Sequence, residues 1–175
     1  VQHVNVKIFA TQSDINLVDA IPVFHKWIQE NAMPELLIDV ADYKHVPDGP
    51  GIMLIGHEAD YSLDQTGGRL GVLYNRKSKV DGDSQAVLKQ AYGAALSAVK
   101  KLEEEPVFAG KLKFNTNDFE VILNDRLLFP NTTETWNAVL PELEAFAAGL
   151  SGAGTVSVER RGEPRERVRA GIAKR

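Results

Sequence analysis

A chain of 175 residues, 43% hydrophobic and 25% charged, has the composition of one globular domain large enough to bury a core. It contains no cysteine, which excludes disulfide frameworks, thiolate metal sites and thiol nucleophiles, and no apolar run reaches the roughly 20 residues of a membrane span. The formal charge of −4 is uneven: residues 159–175 carry seven basic and three acidic side chains, net +4, leaving about −8 on the body, which argues against a broad nucleic-acid surface. The opening VQHVNVKIFA lacks the layout of a signal peptide, and with the absent cysteine this favours a cytoplasmic location as an expectation.

Val4, Val6 and Ile8 alternate with Asn5 and Lys7, predicting a first strand. A helix follows from about Asp19, with Pro22 tolerable in its first turn and an apolar stripe of Ile21, Phe24, His25 and Ile28. Leu36 to Tyr43 reads as a second strand, with Leu36, Ile38 and Val40 facing one way and Asp39 and Tyr43 the other. Residues 49–77 organise the chain: a long strand, a turn at Gly67-Gly68, and a return strand through Leu70, Val72 and Tyr74. On the strand period Met53, Ile55, His57, Ala59, Tyr61 and Leu63 share the inward face, and Glu58, Asp60, Ser62 and Asp64 share the wet one.

Asp81 to Ser84 cap a long helix running to about Glu105 on a stripe of Leu88, Ala91, Tyr92, Ala95, Val99 and Leu102. Leu112 and Phe114, then Phe119, Val121 and Leu123, read as a hairpin turning across Asn115 to Asp118. Asn131 with Glu134 resembles a capping box before a last helix, which Pro141 kinks or splits. Gly149–Gly154 is a break and Thr155–Val158 a short final strand. The order β-α-β-β-β-α-β-β-α-β predicts an α+β fold, a mainly antiparallel sheet with about three helices packed on it. Residues 1–158 form the single domain and 159–175 a basic C-terminal extension.

Three groups of residues are candidates for function. His57 and Tyr61, with Asp39 or His25 in support, have the chemistry of an acid–base pocket beneath the central hairpin. Four strand residues separate them by about 13 Å, so the pair lines a pocket without touching; the plainer alternative is a core histidine and a core tyrosine. Glu58, Asp60 and Asp64, with Asp42, form an acidic row without calcium-loop or paired-histidine spacing, so a solvated face is expected and no metal. Gly67, Gly68 and Arg69, with Arg76, have the makings of a phosphate cradle, though no dinucleotide or P-loop fingerprint accompanies them. The element order is loosely similar to the acetyltransferase fold at the junction after Tyr74, but the sequence there, NRKSKVDGD, departs from the Arg/Gln-x-x-Gly-x-Gly/Ala loop of that family.

The basic end supplies the leading expectation. Arg160, Arg161, Arg165, Arg167 and Arg169, with Val168 and Ile172 as apolar anchors, predict a tail that docks on a protein partner or on another subunit. It lacks the interleaved aromatics of a nucleic-acid binder; the plainer alternative is a short solvated helix of paired charges. The expectation is therefore a non-enzymatic binding or assembly module without a cofactor, and the alternative a small-molecule enzyme working through His57.

Overall fold

The computed structural model describes residues 1–150 and 154–175. Eight strands form one sheet: β1 Val4–Ser13, β2 Leu37–Tyr43, β3 Gly51–Gly56, β4 Ala59–Asp64, β5 Gly71–Arg76, β6 Leu112–Leu123, β7 Val156–Arg161 and β8 Arg169–Lys174. Their order across the sheet is β2-β3-β4-β5-β1-β6-β8-β7, with every neighbouring pair antiparallel. Three helices, α1 Ala20–Gln29, α2 Ser84–Glu104 and α3 Thr133–Leu150, complete an α+β fold. No helix among the described residues is long and apolar enough to cross a membrane.

The core lies between the helices and one sheet face. Val4, Val6 and Ile8 of β1, Leu54 of β3, Leu63 of β4 and Ile172 of β8 are fully buried there, opposite Leu88, Ala91, Ala95 and Val99 of α2. Asp83 caps α2 by accepting from the Ala86 N–H at 2.9 Å, and all six residues expected in its stripe are buried. The other face of β1 points Asn5, Lys7 and Phe9 away from the helices. No helix among the described residues covers that side, yet Asn5 and Lys7 are each only 5% exposed.

The expected long central strand is instead the hairpin β3–β4. Ile55 pairs with Asp60, so the chain reverses over His57 and Glu58. The turn depends on Gly56, where a Cβ would lie 2.5 Å from the Ala59 carbonyl oxygen. The reversal also changes the phase of the alternation: Ile52 and Leu54 face the core before the turn, and Ala59, Tyr61 and Leu63 after it. In β6 the opposite occurs. The Asn115–Asp118 stretch expected to turn continues as strand, because the ten-residue β1 is long enough to pair with the residues on both sides of it. The polar cluster is absorbed in the irregularity between the pairs Ile8–Phe119 and Ala10–Phe114, and the Asn117 N–H donates to Asn115 Oδ1 at 3.0 Å.

Smaller departures share one cause, a shift of phase by one residue. A bulge between Leu37 and Asp39 buries Leu37 and leaves Leu36 and Ile38 exposed. The buried stripe of α1 is Ala20, Val23, Phe24 and Trp27, with His25 in solvent. Trp27 is held because its indole N–H and the Lys26 ammonium both donate to Glu105 at the end of α2. Thr132 rather than Asn131 caps α3, which runs continuously through Pro141. Part of the Gly149–Gly154 break, residues 151–153, lies outside the described residues.

The largest difference concerns the basic end. Residues 159–175 do not extend from the domain: they complete β7 and form β8, which is inserted between β6 and β7. Val168 and Ile172 are fully buried in this chain's own core and are not exposed anchors. Alternation of Ala170 and Ile172 with Arg169 and Gly171 makes a strand that is apolar on one face only, which its high charge conceals in the sequence.

Candidate functional site

The expected acid–base group does not assemble. His57 sits exposed at the β3–β4 turn, fixed only through its backbone N–H, which donates to the Leu36 carbonyl at 2.8 Å. Tyr61 is 2% exposed on the helix-covered face, its ring 5.1 Å from that of Tyr74. Burial, and then the nearby Glu35 carboxylate, push its phenol well above the ordinary range, so it keeps its proton. Asp39 is exposed on the edge strand, where its carboxylate accepts from the Val40 N–H. The turn after Gly56 is what separates His57 from the inward face.

The acidic row is not a bare solvated face either. Asp64 pairs with Lys7 at 2.7 Å, Asp60 with Lys77 at 2.8 Å, Glu58 with Arg76 at 3.2 Å and Asp42 with Lys44 at 3.9 Å. Among the described residues no group of three or more histidines or carboxylates could hold a metal ion.

The structure instead brings together two candidate groups that the sequence kept apart. A cup of about 360 Å³ opens on the sheet face away from the helices. Its floor is Asn5, Lys7 and Phe9 of β1, Leu73 of β5, Glu120 and Ile122 of β6, and Arg169 of β8. Its rim comes from three connections: Thr66, Gly67 and Arg69 before β5, Arg126 after β6, and Glu166 and Arg167 before β8. Gly67 and Arg69 belong to the expected phosphate cradle, Arg167 and Arg169 to the basic end. Gly68 donates its N–H to Asp48 at 2.9 Å, and Arg76 lies on the opposite side of the sheet, engaged by Glu58 and the Ser78 carbonyl.

The floor holds buried charge. Lys7 and Asp64, 5% and 2% exposed, form a pair in which the ammonium also donates to the Thr66 carbonyl, while Asp64 accepts from the Thr66 N–H and hydroxyl. This network ties the first rim segment to the central strand. Glu120, 5% exposed, receives Arg161 and Arg169, each at 3.5 Å. Burial alone works against the charge of Arg161, but Glu159 and Asp118 outweigh it and hold the guanidinium more firmly protonated. Asn5 Oδ1, Glu120 Oε2 and Arg169 Nε are buried without a hydrogen-bond partner.

The rim is different. Arg69 lies over the Phe9 ring at 3.7 Å from its centre, a cation–π contact that leaves its charge uncompensated. Arg126 and Arg167 are exposed and meet no carboxylate among the described residues, while Glu166 accepts from the Glu163 N–H. Of the remaining basic-end residues, Arg160 is bound to Asn131, Arg161 to Glu159 and Asp118, and Arg165 is exposed. Three guanidiniums from separate loops thus surround one opening in an otherwise acidic protein, which concentrates positive charge there. Lys7, Asn5, Glu120 and Arg126 were not singled out from the sequence. The polar alternates Asn5 and Lys7 on a strand so apolar at Val4, Val6 and Ile8 were the signal for the floor, once that strand is central. Compared with family models, curated proteins and solved structures, the chain matches none of them.

Proposed function

We propose that the protein is a binding module whose uncovered sheet face receives a small anionic molecule bearing two or more carboxylate or phosphate groups. The observation that supports it is the convergence of Arg69, Arg126 and Arg167 on one cup with no carboxylate partner among the described residues. Guanidiniums grip such groups in a bidentate manner, and several fixed cations around one cavity favour a ligand with more than one negative group. A volume of about 360 Å³ suits a small molecule. Calorimetric titration with citrate and with inorganic phosphate tests the reading. Citrate binding that weakens as salt rises, and that falls at least about tenfold in Arg126→Ala and Arg167→Ala, is the expected result. Citrate binding that is absent, or that both variants retain in full, overturns it.

A second reading keeps the protein partner. Leu127 and Leu128, directly after Arg126, are 95% and 70% exposed, and paired exposed leucines beside an anion site suit an acidic segment with an apolar flank. The native mass of the purified assembly separates the two readings: a defined complex that dissolves at high salt and is lost in Leu127→Ser supports docking. A salt-indifferent monomer that binds citrate supports the small ligand.

A further inference from the structure

We propose that a second cavity, on the helix-covered side between α2 and the ends of β4 and β5, binds a small organic ammonium ion with Glu35 as its counter-charge. The cavity is about 320 Å³ and is lined by Glu35, Glu58, Tyr61, Arg76, Gln90 and Gly93 among others. Its charges do not balance internally. Arg76 is taken up by Glu58 at 3.2 Å and by the Ser78 carbonyl at 3.1 Å. Glu35 has no cation within pairing distance among the described residues. Tyr61 stays neutral beside it, kept so by burial and then by its hydrogen bond to Glu35, which leaves Glu35 Oε1 as the unmatched oxygen.

The hydrogen-bonding inventory has the same sense. Glu35 Oε1 and Gln90 Oε1 are both buried and both lack a partner. The Gln90 amide nitrogen is already spent on the Tyr74 hydroxyl at 2.9 Å, so its oxygen is the end left unmatched. Two orphan acceptors, one of them charged, require donors, and an alkylammonium offers three donors and no acceptor. The Tyr61 ring and Met33 line the same cavity and suit the apolar and cationic portions of such a ligand.

An independent observation comes from α2. Gly93 lies in the middle of a 21-residue helix, where glycine is unfavourable, and a Cβ built on it would meet nothing within 4 Å. No side chain therefore fills the space over Gly93, and the cavity is open there. The site differs from the cup in both face and sign: it lies across the sheet, and it carries a net negative lining in place of a positive one.

The test uses the full chain with n-butylammonium chloride and n-butanol, which differ in charge but hardly in shape, followed by the ring proton signals of Tyr61 and Tyr74. Butylammonium should bind with a Kd on the order of 1 mM and at least about tenfold more tightly than butanol. Glu35→Gln should remove that preference, and Gly93→Leu, which fills the mouth from a helix-favouring side chain, should abolish binding altogether. Failure of butylammonium to bind, equal affinity for the alcohol, or an unchanged preference in folded Glu35→Gln would overturn the proposal. Were Glu35→Gln not to fold, full binding retained by Gly93→Leu would overturn it as well.

Discussion

Lys7 lies on the central strand with its ammonium against Asp64 and the Thr66 carbonyl, and no helix shelters it from solvent. A buried pair gains little over an apolar replacement of both partners, but removing one partner strands the other. Lys7→Met should therefore lower stability by about 3–5 kcal/mol in urea unfolding, since Asp64 is left charged and 2% exposed. Adding Asp64→Asn should restore a large part of the loss, because the amide oxygen still accepts from the Thr66 N–H while the charge is gone. A double variant as unstable as the single one would show that the pair is not the cause. At this scale the sequence was only half legible. Alternation marked Lys7 as facing away from the core, but whether that face is wet or closed depends on Asp64, Thr66 and Arg126, which are distant in the chain. Val168 and Ile172 failed for the same reason: an apolar residue among arginines looks like an exposed anchor until its strand has neighbours.

Among the elements, the helices were read most accurately, since a stripe such as Leu88–Ala91–Ala95–Val99–Leu102 encodes its own partner face. Strands were less legible where a single residue decides the connection. Gly56 divides one expected strand into two, and the ten-residue β1 fuses two expected strands into one. Both outcomes shift the alternation by one residue, and periodicity alone does not say whether a turn or a bulge makes the shift. The strand β8 was hidden because half its residues are charged or glycine. Gly171 itself has a packing role: a Cβ there would lie 2.1 Å from Arg161 Nε. Its absence lets Arg161 cross β8 from β7 and reach Asp118 and Glu120 on β6. Gly171→Ala and Arg161→Ala should each cost about 1–3 kcal/mol, and the double variant little more than the worse single one, as measured by urea denaturation. Simple additivity would mean that the glycine serves something other than the arginine.

For the whole molecule, the sheet order places the last strand inside the sheet, one in from its edge. The chain's closing residues bury Val168, Ala170 and Ile172 against the core and give β6 its second partner. A variant ending at Val158 should lose cooperative thermal unfolding, followed by circular dichroism, and should expose apolar surface instead of merely losing a binding tail. A truncated chain that melts as sharply as the full one would contradict the insertion of β8. The general class, an antiparallel α+β sheet, was evident from the order of short strands and three helices. The charge asymmetry between body and end was evident too, but its meaning was not: Arg160, Arg161 and Arg169 serve intramolecular contacts, while Arg165 and Arg167 stand exposed.

The cup's rim draws on residues 69, 126 and 167, so two of its sides are synthesised before the third exists. A nascent or clipped chain holding Arg69 and Arg126 without the final hairpin has neither the third guanidinium nor the floor at Arg169. The cup thus ties the hairpin of β7 and β8 to the connections before β5 and after β6. Under the proposed function, an anion held on all three sides would by mass action favour the arrangement with β8 seated between β6 and β7.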